Sequence, residues 1–247
     1  MIRHMIRALA AATAFVPAVA MADGVRIGAS AVVVPQFEGS SDYRVVGGPT
    51  FGFNLGLVSV QSRGLGVEAD LFASRAFDAG LVLRYNGGRD PSNIDNVAVS
   101  ALPQVDGSAE VGAFAQFNYP IADSTFISPR VLVAQGLDGG HEGLTATGSV
   151  GLTRLEGAWT FGGAVSATYA DDTYMNSFFS VGAASPSGLA AFTAGSGIKD
   201  IGVTLFASYD LNENWSVNGV AGVSRLVGDA ADSPIVATQG NATQGFV

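Results

Sequence analysis

Residues 159–169 read Trp-Thr-Phe-Gly-Gly-Ala-Val-Ser-Ala-Thr-Tyr, and the odd-numbered positions are apolar while the others are small or polar. In a strand, Trp159, Val165 and Tyr169 therefore share one face and Ala164 lies on the other. The ten steps between the aromatic ends span roughly 33 Å, or about 25 Å along a membrane normal at a tilt of ~40°. This is the apolar height of a transmembrane barrel, with aromatic rings placed at both interfaces.

The same period of two recurs along the chain, which matters because one alternating strand could equally belong to a soluble sandwich. Apolar rows alternate with small or polar rows in residues 25–33, 111–119, 144–152, 201–209 and 215–223. We therefore predict an all-β protein, an antiparallel transmembrane β-barrel of ten to twelve strands. The predicted strands are 24–34, 49–56, 58–72, 79–86, 109–120, 124–135, 143–156, 159–170, 174–182, 198–209, 214–226 and 240–247.

The N-terminus and the composition agree with an exported membrane protein. Residues 1–22 have the pattern of a signal peptide, with Arg3 and Arg7 before an apolar run and Ala20-Met21-Ala22 as the cleavage site. We predict that residues 23–247 form one barrel domain. The net charge of −9 argues against nucleic acid as a partner, and the lack of cysteine excludes disulfides and thiolate metal sites.

Alternation of strands assigns each connection to one side of the membrane. With a periplasmic N-terminus, segments 35–48, 183–197 and 227–239 are expected outside the cell. Segments 87–108 and 136–142 are then expected in the periplasm. A periplasmic segment of about twenty residues is unusual in such barrels and indicates a function there.

Few residues of the chain suggest chemistry. His141 beside Glu142 could form a general-base pair, but we interpret it as a turn histidine because no motif places a nucleophile near it. The carboxylates of 171–172 and 229–232 lack the spacing of a calcium loop and are interpreted as capping residues. The glycines of 64–66 are interpreted as strand glycines. We predict no catalytic residue, metal or cofactor.

Several motifs resemble the MipA/OmpV family of outer-membrane proteins. They cover most of the mature chain and lie at 35–44 (PQFEGSSDYR), 87–90 (GGRD), 139–143 (GGHEG), 171–175 (DDTYM) and 225–236 (RLVGDAADSPIV). In contrast to the aromatic-terminated last strand expected of that family, the chain stops at Gly245-Phe246-Val247. This departure indicates a last strand that is truncated or has diverged.

The resemblance implies a non-enzymatic scaffold in the outer membrane of a Gram-negative bacterium, surrounded by outer-membrane lipid and lipopolysaccharide. The implied partners are a murein lytic transglycosylase and a penicillin-binding protein. Since these act in the periplasm, the predicted topology suggests partner contacts at Arg89, Asp90, Asp95, Asp106, Asp138, His141 and Glu142.

Two alternatives remain open. The first is a narrow channel for small solutes, with three arginines predicted on the lumen face, Arg26, Arg84 and Arg130, which could pair with Asp70 or Glu68. Phe114, Phe206 and Leu226 are also predicted to point inward, which favours a partly filled lumen. The second alternative is an enzyme that uses His141.

Overall fold

A single antiparallel sheet, rolled into a nearly closed barrel, forms the body of the protein. The structure is a computed structural model that describes residues 25–56, 58–137, 139–212 and 215–247, so the predicted signal peptide lies outside the described residues. Twelve strands follow one another in sequence order, and a short further strand pairs only with its successor. The strands are β1 (Arg26–Pro35), β2 (Tyr43–Leu55), β3 (Val58–Arg63), β4 (Gly66–Ala73), β5 (Phe77–Asn86), β6 (Ser108–Phe117), β7 (Tyr119–Ala122), β8 (Thr125–Gly136), β9 (Leu144–Glu156), β10 (Trp159–Ala170), β11 (Gly197–Asn212), β12 (Trp215–Leu226) and β13 (Thr243–Phe246). The predicted fold class is confirmed.

Two of the predicted strands are wrong, and the two errors cancel in the strand count. The stretch 58–72 is a hairpin of β3 and β4, because Gly64 adopts φ 57° and turns the chain. Gly64 is therefore a turn residue, whereas Gly66 begins β4 and is a strand glycine as interpreted from the sequence. Conversely, most of 174–182 lies in helix α2 (Asp172–Phe179), whose Asp171 side chain accepts the N–H of Tyr174 as an N-cap.

These errors reverse the predicted side of every connection between them. In the structure the long connections 36–42, 87–107, 137–143, 171–196 and 227–242 all lie at one end of the barrel, which we call the cap end. The placement of 87–108 and 136–142 opposite the other long segments is therefore wrong. The other end, which we call the turn end, joins neighbouring strands through short connections, among them 74–76, 123–124 and 157–158.

The outer and inner faces of the wall alternate as the period of two predicts. Trp159, Val165 and Tyr169 on β10 are 48%, 56% and 38% exposed, whereas Ala164 is 9% exposed. Outward apolar side chains continue around the wall through Leu83, Val111, Val131, Val150, Leu152, Val203 and Val217. They form an apolar belt with aromatic side chains near both ends. In a membrane, this belt would face lipid.

Closure of the wall is made by the end of the chain. β13 pairs with residues 222–225 of β12, and the N–H of Val33 in β1 donates to the carbonyl of Val247 at 2.8 Å. β13 is thus shorter than both of its neighbours in the wall.

The remaining helices are short and belong to the connections at the cap end. They are α1 (Val97–Ser100), α3 (Gly228–Asp232) and α4 (Pro234–Ala237), besides a 3-10 turn at Pro91–Asn93. Among the described residues, no helix has the length and apolar character needed to cross a membrane.

Candidate functional site

The five long connections pack together into a cap over one end of the barrel. Two clusters of buried apolar side chains form its core. The first contains Val105, Ala170, Tyr174, Met175, Phe178, Phe179, Ala194, Leu226, Ala230 and Val236, and the second contains Phe37, Ile94, Val99, Leu102, Val181 and Ile235. Because each cluster draws on several connections, these connections form one folded structure and not separate flexible loops.

Arg89 ties the connection 87–107 to the C-terminus of α2. Its guanidinium donates to the carbonyls of Phe178 at 2.8 Å, Pro103 at 3.2 Å and Ser177 at 3.3 Å. A cation is favourable there because the helix dipole is negative at that end. Arg89 is 3% exposed, and this burial lowers its pKa to about 10. It therefore offers almost no surface to a partner.

His141 links the connection 137–143 to the barrel wall. It is 2% exposed; its Nε2 lies 2.7 Å from Oε1 of Glu110, and its Nδ1 accepts the N–H of Gly143 at 3.0 Å. Acceptance at Nδ1 means that Nε2 carries the proton and donates it to Glu110. Glu110 also accepts from Arg84, which reaches the hydroxyl of Thr145 at 2.9 Å.

This geometry leaves His141 without a free nitrogen for general-base chemistry. The nearby Ser177 hydroxyl donates to the carbonyl of Thr173 at 2.9 Å, with the carbonyl of His141 3.4 Å away, and not to the His141 ring. That ring packs against Tyr174 and Phe178, with centroids 4.8 and 5.6 Å apart. His141 does lie in a turn, as interpreted from the sequence, and it is in addition a buried link between cap and wall. Among the described residues, no nucleophilic side chain forms a hydrogen bond with either ring nitrogen of His141.

A second buried link joins the first connection to β11. Lys199 lies 2.7 Å from Oε1 of Glu38 and 2.7 Å from Oδ2 of Asp200, and the Tyr174 hydroxyl donates to Glu38 at 3.0 Å. Burial and the negative charge of Glu38 raise the pKa of Tyr174 well above its usual value. The tyrosine therefore stays a hydrogen-bond donor under ordinary conditions.

The aspartates of the two acidic motifs act as backbone acceptors. Asp172 accepts the N–H of Ser196 at 2.6 Å, and Asp229 accepts that of Gly195 at 2.8 Å. Both hold the same stretch of the 171–196 connection. The described residues contain no group of three or more His, Asp or Glu arranged to hold a metal. Their contacts agree with the interpretation of these residues as capping groups.

Close backbone approach explains the glycine of the first motif. Gly39 has φ 94°, and a Cβ there would lie 2.4 Å from Val236 of α4. Its carbonyl accepts the N–H of Asn241 at 2.8 Å. The segments 35–44 and 225–236, far apart in sequence, therefore meet in the cap.

The other predicted contact residues are spread over the cap. Asp90 caps the 3-10 turn, and its hydrogen bonds to Ser92 lower its pKa. Asp95 is exposed and accepts from Gln36 at 2.7 Å, whereas Asp106 is exposed and accepts from Gln104 at 2.6 Å. Glu142 is also exposed, and Asp138 lies outside the described residues.

The predicted lumen arginines differ in their surroundings. Arg130 is 8% exposed and lies inside the barrel, where it pairs with Glu68 at 2.5 Å and stacks 4.0 Å from the Phe114 ring centroid. Arg63 pairs with the other oxygen of Glu68 at 2.7 Å. Arg84 is half-buried beside Glu110, and Arg26 is exposed on β1.

The interior around these pairs is filled. Phe114 and Phe206 are each 5% exposed and Leu226 is 2% exposed, so the prediction that they point inward is confirmed. Glu68 and Asp70 are 3% and 4% exposed. Side chains that line an open aqueous pore would be in contact with water, so this section of the lumen is closed.

The sequence reasoning missed Glu38, Lys199 and Ser233. Ser233 is fully buried and donates to the carbonyl of Phe179 at 2.6 Å. Lys199 is the single lysine of the chain, and this rarity was the one signal that could have drawn attention to it. The contacts of all three residues join segments that are distant in sequence.

Comparison with known proteins agrees with the motifs and the fold. Neither the curated proteins nor the solved structures contain a match to the chain. A family model described as MltA-interacting protein MipA matches residues 27–247, which include the described strands of the barrel except the first residue of β1, and the cap. The chain therefore belongs to the MipA family.

Proposed function

We propose that this protein is a non-enzymatic outer-membrane barrel that acts as a scaffold for peptidoglycan-remodelling enzymes. The family match over residues 27–247 carries the proposal, since the family is described by its interaction with MltA. The apolar belt supports location in the outer membrane. The proposed partners are a lytic transglycosylase and a penicillin-binding synthase.

The orientation of the barrel decides which surface a periplasmic partner can reach. Bacterial barrels have short periplasmic turns and longer extracellular connections. By this rule the cap end faces outside and the turn end faces the periplasm. The N-terminus of β1 also lies at the turn end, as expected for a chain that enters from the periplasm. The contact surface therefore belongs at the turn end, and not on 87–108.

Exposed side chains at the turn end offer such a surface. β7 extends beyond β6 and pairs only with β8, and Tyr119 and Ile121 on it are 51% and 58% exposed. Asp123 in the following turn and Asp210 at the end of β11 are exposed as well. A partner docking here would meet apolar and acidic groups together, a composition that favours a basic docking surface.

A capture experiment with two charge-reversed variants tests the proposal. The turn-end variant carries Asp123→Lys with Asp210→Lys, and the matched cap variant carries Asp106→Lys with Asp232→Lys, also at exposed aspartates. Both are reconstituted and mixed with purified lytic transglycosylase. We expect the turn-end variant to capture about tenfold less transglycosylase, because a repulsive or missing charge pair at a contact typically costs ~1.4 kcal/mol or more. The cap variant should capture as much transglycosylase as the wild type.

Three results would contradict parts of this proposal. Loss of capture in the cap variant alone would place the partner surface at the cap. Equal capture by both variants would exclude these aspartates as contacts. Failure of the wild-type protein to capture the transglycosylase would reject the scaffold function itself.

The alternative of a channel makes a different prediction. The buried pairs of Arg130 and Arg63 with Glu68, together with Phe114, close the lumen at this level. We therefore expect the purified barrel to show no steady conductance in planar bilayers. Single-channel steps that respond to Arg130→Gln would instead favour the channel.

A further inference from the structure

An apolar groove of about 560 Å³ lies on the outer wall across β6, β8, β9 and β10. The register of these strands aligns Ala115, Val131, Gly148 and Ala167 in one row, and three of these four side chains are small. The adjacent row, towards the turn end, contains the bulkier Val150 and Val165. The groove therefore follows the row of small residues and is bounded on that side by larger ones.

Space above Gly148 is open, because a Cβ built there would meet no atom within 4 Å. The outward side chains that line the groove are apolar, and the Arg130 side chain points away from it to Glu68. Within a membrane such a groove contacts hydrocarbon. A chain lying in it would touch the wall on more than one side, which increases dispersion contacts over those at a flat wall.

The groove fits a lipid chain better than a second protein. Eleven residues line it, about half of the 20–30 residues that each side of a stable protein interface contributes. The four strands contain two cationic residues, Arg130 in the interior and Arg154 on β9. The Arg154 side chain is 51% exposed at the turn end, four residues beyond Val150 and thus ~13 Å along the strand.

Arg154 supplies charge for a headgroup at one end of the groove. Its exposed partner is Glu156 at 2.9 Å, an ion pair that solvent weakens. Basic side chains at a membrane surface attract lipid phosphates. The described parts of β6, β8, β9 and β10 place no Lys or Arg at the cap end, so the charge selects the leaflet at the turn end.

We propose that the groove binds one acyl chain of a phospholipid in the turn-end leaflet, with the phosphate of that lipid at Arg154. This inference rests on the membrane location in the proposed function. It identifies a lipid site on the wall of the barrel, apart from the surface assigned to protein partners.

The test compares two glycine substitutions of the same kind. Gly148→Leu fills the groove, whereas Gly219→Leu adds the same side chain on the outer face of β12, where an added Cβ also meets no atom within 4 Å. The variants are extracted from outer membranes in mild detergent, and retained lipids are counted by native mass spectrometry. We expect wild type and Gly219→Leu to retain one phospholipid, and Gly148→Leu to retain about tenfold less, the factor for losing roughly two methylene contacts.

Arg154→Gln is expected to reduce phospholipid retention about fivefold, because it removes one cation that attracts the lipid phosphate at the membrane surface. Equal retention by Gly148→Leu and wild type would overturn the proposal, as would retention of lipopolysaccharide in place of phospholipid. Heat-dependent mobility on gels checks that each barrel is folded, and Ala167→Phe fills the groove if Gly148→Leu does not fold. The same samples enter the transglycosylase capture assay, so failure of capture rejects the scaffold without changing the lipid count.

Discussion

Replacing His141 by alanine removes the link between the cap and the wall and should loosen the cap while the barrel stays intact. The variant loses a hydrogen bond to the charged Glu110, worth about 1.5–3 kcal/mol, and leaves the N–H of Gly143 without its acceptor, which costs about 1–3 kcal/mol. Ring contacts with Tyr174 and Phe178 add about 0.5–1.5 kcal/mol each. Because such contributions are not additive, we expect a total of ~3–5 kcal/mol.

The loss should be local because the remaining contacts of Glu110 lie within the wall. Arg84 and Asn86 still bind this carboxylate, so its charge keeps partners and β6 keeps its pairing with β5. The helix α2, in contrast, loses the ring that packs against two of its aromatic side chains. Opening of the cap therefore becomes easier without unfolding of the strands.

Hydrogen exchange measured by mass spectrometry checks this prediction. A loss of ~3 kcal/mol corresponds to about 100-fold faster exchange in α2 and in 137–143, where opening governs exchange, with β9 and β10 unchanged. The neighbouring variant Glu142→Gln is the control, because that side chain is exposed and should change exchange by less than about threefold. Unchanged exchange in α2 of His141→Ala would refute the account of the cap as one folded unit. Faster exchange throughout the barrel would refute the claim that the cap opens independently of the strands.

Two further predictions concern the belt and the buried tyrosine. Val165→Arg should reduce assembly into outer membranes, because a cation at the midplane of the lipid face costs ~2–4 kcal/mol. The control Leu211→Arg places the cation at the turn end, where it should cost about 0–1 kcal/mol. Heat-modified gel mobility measures the folded fraction of both variants, and equal effects would contradict the apolar belt. Tyr174 should remain protonated when the other tyrosines ionise near pH 10. Absorbance titration of the folded protein should therefore give the same curve for wild type and Tyr174→Phe near that pH. The unfolded proteins should differ by the absorbance of one ionised tyrosine. Since the pKa is raised in the folded state, the tyrosine stabilises the cap fully below pH ~10 and this contribution is lost as pH rises through the folded pKa.

The wall could be predicted from sequence because each strand repeats one physical requirement. A residue on the outer face must be apolar and its neighbour must fit the interior, so β9 and β10 follow the predicted faces, and β12 does so from Gly222 to Leu226. The interior position of Arg130 followed from the same alternation. Its choice of Glu68 over Asp70 did not, because the pairing depends on the register of four strands, β4, β5, β6 and β8.

Local turn chemistry accounts for the two wrong strands. In 58–72 the apolar positions change from even numbers, Val58 and Val60, to odd numbers from Leu65 onward, and the φ of 57° at Gly64 marks the turn between β3 and β4. In 174–182 a helical signal was present, since the buried Tyr174, Met175 and Phe178 follow helical spacing after the N-cap Asp171. Periodicity over eight residues was too short to outweigh the surrounding strands.

The cap could not be predicted because its contacts join distant segments. Glu38 meets Lys199 across 161 residues, and Asn96 meets Gln239 across 143. No periodicity relates such pairs. The motifs at 35–44 and 225–236 did indicate which segments matter, and the structure supplies the reason, which is that they pack against each other.

The cap also changes how the family motifs bear on function. Gly39, Tyr174 and Asp229 hold the cap together through backbone approach, a buried hydroxyl and an accepted N–H. Residues with such contacts serve folding first, and their presence in a motif does not by itself mark a surface for partners. The proposed partner would therefore bind through groups that the cap contacts leave unconstrained, and the exposed side chains at the turn end meet that condition.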